Sequence, residues 1–261
     1  MSSNRRHFCR LLALGALLAV CLPSEAGLPE LIQRAKPSIV LVGTYAATDN
    51  PRFSFRGSGF VVGAGNALIT NVHVLPEPDQ LGGEAERSLM VQVRRPDGSW
   101  GERAAQIVAL DREHDLALLH FEGPGAPALK LQAELAREGS EVAIMGFPVG
   151  GALGFSTVTH RGTVSAVTPI ALPAPGSSGL NERAVRQLRN GSFDIYQLDA
   201  TAYPGNSGGP VLDMQTGAVI GILNMVLVKG SKESALGSPT GISYAIPALY
   251  AAQLLSGHPE Y

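Results

Sequence analysis

Asp199-Ala-Thr-Ala-Tyr-Pro-Gly-Asn-Ser-Gly-Gly-Pro210 is the stretch on which the reading of this chain turns. Gly205, Gly208 and Gly209, with Pro204 and Pro210 outside them, describe a backbone held in a tight turn that exposes the Ser207 hydroxyl and leaves N–H groups uncovered. An acyl-transfer nucleophile needs that setting. Gly205 and Ser207 lie two apart, so their N–H groups can converge on the oxygen of an attacked carbonyl, where a preorganised donor is worth about 3 kcal/mol. The competing reading is a Gly/Pro-rich hairpin turn with an incidental serine. A nucleophile also requires a base and an acid elsewhere in the chain.

Of the six histidines, His73 stands apart. In Leu68-Ile-Thr-Asn-Val-His-Val-Leu75 it follows an apolar strand where the chain must turn towards Pro76. A solitary histidine in such a place also fits a satisfied core or surface side chain. Asp115, in Asp111-Arg-Glu-His-Asp-Leu-Ala-Leu-Leu119, opens a strongly apolar strand that would draw it inward. A buried carboxylate is costly unless it is hydrogen-bonded or paired, and an imidazole N–H would serve. The alternative is a strand or turn cap at the surface. Asp111 and Glu113, nearer the loop, read as solvated.

The chain has 261 residues, 45% hydrophobic and 16% charged, with 31 glycines and 18 prolines. This favours many short strands over long helices, in one all-β domain or a pair of small barrels. A formal net charge of -2 without a Lys/Arg block implies neither nucleic acid nor an anionic membrane surface as partner. Residues 1–26 read as a removable export signal: Arg5, Arg6 and Arg10, an apolar Leu11–Leu22 too short to span a bilayer, and Ser24-Glu25-Ala26 at the cleavage positions. Arg5-Arg6-His7-Phe8 also resembles a twin-arginine signal, and a lipid anchor on Cys21 or an uncleaved membrane anchor are further alternatives. Both cysteines, Cys9 and Cys21, lie in that segment, so the mature domain is expected to hold no disulfide and to belong to a bacterial envelope. No Cys/His spacing suggests a metal site, and no cofactor is implied.

Leu28–Ala35 reads as a short helix. Strands are expected at Ser38–Val42, Gly59–Val62, Ala67–Thr70, Leu89–Arg94, Ala104–Leu110 and Leu116–Phe121, making one antiparallel barrel at about 36–125. After the break at Glu122–Ala128, a linker leads to Glu141–Met145, Ser156–Val167, Ile195–Leu198, Gly209–Met214, Ala218–Val228 and Ile242–Ile246, a second barrel at about 140–247. Thr168–Ser192 reads as a long surface loop with about two turns of helix. Pro247–Ser256 reads as a closing helix whose Leu249, Ala252, Leu254 and Leu255 face the second barrel.

Gly57-Ser-Gly-Phe60, Leu68–Val74, His114–Leu119, Thr157–Ser165, Gln197–Thr201, Pro204–Pro210 and Gly241–Pro247 resemble, in order, the protease domain of the HtrA (Deg) family across nearly all of residues 27–261. The resemblance implies a chymotrypsin/trypsin-like double six-stranded β-barrel with a short C-terminal helix, and a serine endopeptidase with His73 as base, Asp115 as its acid and Ser207 as nucleophile. Gly205, Asn206 and Ser207 would form the oxyanion turn, with the Gly205 and Ser207 N–H groups as donors. Asn206 stands where digestive relatives use an aspartate to bind a freed N-terminus. Thr201 would lie at the base of the specificity pocket, with Leu223, Asn224 and Met225 along its wall. None of these is charged, so a small or medium apolar side chain is expected before the scissile bond. The implied partners are unfolded or damaged envelope polypeptides, cleaved without ATP in the periplasm of a Gram-negative bacterium, with a homotrimer open. The chain ends at Tyr261, so no PDZ domain is expected to bind peptides in cis. A holdase or binding protein on the same fold, and a dedicated processing protease using the 168–192 loop, are the competing functions.

Overall fold

The computed structural model describes residues 27–83, 86–150, 154–170, 193–224 and 241–261. The readings made of residues 1–26, of both cysteines, of most of the 168–192 loop and of Met225 fall outside these residues.

The first helix, α1 (Leu28–Ala35), has Pro29 in its opening turn with Glu30, carries Arg34 in its last, and buries Leu31 and Ala35 one turn apart. A short 3-10 turn at Lys36–Ser38 then delivers the chain into sheet. Strands β1 (Ile39–Tyr45), β2 (Phe53–Val62), β3 (Ala67–Asn71), β4 (Ser88–Arg94), β5 (Trp100–Asp111) and β6 (Leu116–Phe121) close an antiparallel barrel in the order β1-β2-β3-β6-β5-β4. Strands β7 (Glu141–Gly146), β8 (Val158–Pro169), β9 (Asp194–Asp199), β10 (Pro210–Asp213), β11 (Val219–Leu223) and β12 (Ile242–Pro247) close a second along the same path, β7-β8-β9-β12-β11-β10. The expected all-β double barrel therefore forms, and closure leaves no open edge in either sheet.

Strand β4 alternates, with Leu89, Val91 and Val93 inside and the residues between them less buried. By contrast β3 is buried along its whole length, and β6 at every residue except His120. One face of these strands, with Val61 of β2, fills the first barrel through Leu68, Leu119 and Phe121. Their other face joins a cluster that includes Phe60, Ile69, Leu118, Met145, Phe147, Leu212 and Ile222, drawn from both barrels. Burial on both faces is why these segments read as apolar runs without alternation.

The second helix, α2 (Ala248–Ser256), takes a different seat from the one expected. Its fully buried residues are Ala248 and Ala251, and it touches both barrels. Tyr250 stacks on His114 at 3.8 Å, and beyond the helix the Ala64 N–H donates to the Tyr261 carbonyl at 2.7 Å. The His114 ring bonds Asp111 Oδ2 through Nδ1 at 2.6 Å. Asp111 is thus half-buried rather than solvated. Burial pushes its carboxyl up, but the bonds from the His114 ring and N–H together outweigh this and hold it below the ordinary carboxylate range.

Candidate active site

Asp115, immediately before strand β6, lies in the left-handed region, at φ 57. An aspartate tolerates that conformation better than most residues. Its carbonyl accepts from the Asn71 side chain at 3.1 Å and from the Val72 N–H at 3.1 Å, which fixes the start of β6 against the end of β3. The carboxylate, buried with the residue at 5% exposure, accepts on both oxygens. Oδ1 accepts the backbone N–H of His73 at 3.1 Å. Oδ2 accepts His73 Nδ1–H at 2.6 Å and the Asn224 Nδ2–H at 2.7 Å. An ionised carboxylate can only accept, so Nδ1 is the donor in this pair, the arrangement that leaves the Nε2 lone pair of a neutral ring to face away from Asp115. The His73 side chain keeps 22% of its surface exposed.

His73 sits in a 3-10 turn, Val72–Val74, that follows β3. Arg56 on β2 holds that turn from behind, donating Nε to Val74 O at 2.7 Å and Nη2 to Leu75 O at 2.9 Å.

Ser207 is supplied by the turn between β9 and β10. The Asn206 N–H donates to Tyr203 O at 3.0 Å, Gly208 to Leu223 O at 3.0 Å, and Gly209 to Asn206 O at 2.9 Å. Gly208, at φ 83, packs so closely that a Cβ there would collide with Ser58 O. Ser58 on β2 is wholly buried. Its hydroxyl donates to Gly205 O at 2.7 Å and accepts the Phe147 N–H at 3.1 Å, while its own N–H donates to Ser207 O at 2.9 Å. The Pro204 carbonyl accepts the Val149 N–H at 2.8 Å. In a trans peptide the C=O and N–H point in opposite directions, so this bond turns the Gly205 N–H away from Val149. Among the described residues that N–H meets no acceptor.

The three candidates therefore converge between the barrels. Gly57 is the hinge of the approach: a Cβ on it would lie 2.7 Å from Val74, next to His73, and 3.1 Å from Ser207 O. From the other flank Asn224 holds Asp115 while the neighbouring Leu223 carbonyl holds the Ser207 turn.

The other expected site residues divide. Asn206 is fully buried, gives its N–H to the turn, and among the described residues has neither side-chain polar atom partnered. Thr201 lines a recess with Asp199, Ala200, Gly241 and Arg161, and Arg161 is itself paired with Glu141 at 2.6 Å. Leu223 and Asn224 are fully buried and tie Asp115 to the Ser207 turn, a role that sequence reasoning did not assign to them. It also missed Arg56 and Ser58. A usable signal existed for Asn224 alone: an amide closing the apolar run Val219–Leu223 needs a buried partner, as Asp115 does.

The family profile of the trypsin-like peptidase domain matches residues 57–222. The chain is similar, at 31% identity over 192 residues, to a probable periplasmic serine endoprotease DegP-like of Pseudomonas fluorescens, covering 73% of this chain and 32% of the relative. It is likewise 31% identical over 213 residues to the mitochondrial serine protease HTRA2 of Drosophila pseudoobscura pseudoobscura, covering 80% and 40%. The chain thus spans roughly a third of the length of the curated relatives it matches. Among solved structures it shares its fold with the serine endoprotease from Yersinia pestis, at TM-score 0.59 and 22% identity over 88% of this chain and 65% of that one. The inactive form of the Rv3671c protease gives TM-score 0.59 and 20% identity over 87% and 91%.

Proposed function

The chain belongs to the trypsin-like peptidase family, as a relative of the HtrA and DegP serine proteases, and on that premise we propose that it is an exported serine endopeptidase that cleaves unfolded or damaged envelope proteins without ATP. Ser207 Oγ attacks the scissile carbonyl carbon and its proton passes to His73 Nε2. Asp115 holds the ring and balances the imidazolium charge. The N–H groups of Gly205 and Ser207 receive the developing oxyanion. As the tetrahedral intermediate collapses, the C–N bond breaks and the leaving amine takes the proton from His73. Water, deprotonated by the same Nε2, then attacks the acyl carbon and releases the carboxyl product and Ser207. No step consumes a nucleotide.

One observation carries the reading. The Asp115 carboxylate is buried, bonded to His73 Nδ1 at 2.6 Å and braced by Asn224 from the second barrel. Burying a carboxylate to orient a ring whose far side is open is costly for folding and useful for proton transfer. Export is supported by the apolar, arginine-led residues 1–26 and by relatives named periplasmic. Thr201 is itself uncharged, and Arg161 beside it is already paired with Glu141, which favours a small or medium apolar side chain before the scissile bond.

The test is degradation of a protein substrate in its unfolded and its folded form, without nucleotide, by wild type and Ser207→Ala. Wild type is expected to cleave the unfolded form alone, after apolar residues, and Ser207→Ala to cleave neither. Equal cleavage by the variant would contradict the mechanism, and frequent cleavage after Lys or Arg the specificity.

A further inference from the structure

The Ser207 turn has two flanks. Leu223 and Asn224 border one, through the Gly208 bond. Phe147, Val149 and Phe55 border the other. Val149 donates to Pro204 O, and the Phe55 ring lies 3.2 Å from where a Gly205 Cβ would be. In the mechanism proposed above the acyl half of a substrate takes the first flank, beside Thr201. The leaving half then takes the opposite flank of the turn, past Gly205 towards Phe55 on β2 and the 147–150 segment.

That exit is paved with apolar groups. Phe55 makes edge contacts with Phe155 at 5.6 Å and with Phe147 at 6.3 Å. Val149 presents its isopropyl group to solvent at 42% exposure, one of four large apolar residues so exposed among the described residues. It does so from the left-handed region, at φ 58, and Phe155 shares that conformation at φ 51. A β-branched residue is strained there, and leaving its side chain in water adds nothing to folding. Strain and exposed apolar surface together, beside a reactive centre, mark a surface kept for binding.

We infer that Phe55, Val149 and Phe155 form a subsite for the leaving half of the substrate, selecting an apolar side chain within the first two residues after the scissile bond. This rests on the proteolytic reading above. It deepens that reading by naming the substrate class: segments apolar on the far side of the cut, which folded proteins keep inside.

The experiment compares two kinds of substrate built on one cleavable acyl sequence. A coumarin amide ends at the scissile bond and reports the chemistry without the subsite. Internally quenched peptides continue with Leu or with Asp at each of the next two positions. Wild type is expected to prefer Leu by about tenfold in kcat/KM at one of these positions, the scale on which an apolar pocket discriminates. Phe155→Ser and Val149→Gly are expected to bring that ratio towards one when each is normalised to its own coumarin rate. Glycine suits the left-handed backbone at 149, so the second variant removes the side chain without opposing the turn. Coumarin hydrolysis with a Leu to Asp ratio near one at both positions would overturn the subsite and leave proteolysis standing. Hydrolysis of no substrate by folded protein would overturn both.

Discussion

Asn224 reaches Asp115 across 109 residues of chain, and its amide donates to the same carboxylate oxygen as the His73 ring. Asn224→Ala removes the donor and is expected to lower kcat about tenfold with little change in KM. Asn224→Asp sets a second carboxylate beside the first, where both cannot ionise freely, and is expected to cost more than alanine does. Steady-state kinetics of the two variants check the order; an aspartate variant as active as wild type would refute this role for Asn224. His160 on β8 is the other informative residue. Burial pushes its imidazole below the ordinary value, its Nε2 is buried without a partner, and its ring lies 5.9 Å from Tyr203 at the entry to the Ser207 turn. The unfolded chain takes up a proton near the ordinary value of about 6.5 that the folded protein refuses. Stability is therefore expected to fall as pH drops below that value, and His160→Leu to flatten the slope in urea midpoints measured against pH. An unchanged slope would remove His160 from the account. Ser207, His73 and Asp115 were legible as candidates because local chemistry marks each one: a glycine turn, a strand end, an acid heading an apolar run. Asn224, Ser58 and Arg56 were not, since each acts on a partner remote in sequence.

The turn around Ser207 is shaped as much by β2 as by its own residues. Ser58 joins Gly205 O, Phe147 N–H and Ser207 O in one small buried knot. Ser58→Ala leaves a carbonyl and an N–H without their partner, which is expected to lower stability by about 1–3 kcal/mol and to slow acylation of Ser207. Urea unfolding and single-turnover hydrolysis report the two effects separately; a loss of stability with an unchanged acylation rate would mean that the knot supports the fold alone. The same strand shows where element boundaries were misread. The sequence placed a strand only at Gly59–Val62, yet β2 begins at Phe53. Its glycines are there for clearance: a Cβ on Gly57 would meet Val74, and one on Gly59 would crowd Val42 and Leu68. Strand β6, whose apolar run admits only one reading, was placed from Leu116 to Phe121 without error.

Two barrels of identical path meet so that one gives His73 and Asp115 and the other Ser207 and Asn224. The doubling was visible in the spacing of strands and turns. The strap formed by α2 and the Tyr261 tail was visible only as a helix, because its hold on the first barrel is made by His114 and Ala64, far away in sequence. Neither barrel alone holds all four of these residues, and in the proposed function their meeting activates Ser207. A fluorophosphonate probe, which reacts only with an activated serine, tests this on intact protein by mass. One adduct is expected on wild type, none on Ser207→Ala, and greatly slowed labelling of His73→Ala. A folded wild type that gains no adduct, or a Ser207→Ala protein that gains the same one, would contradict it.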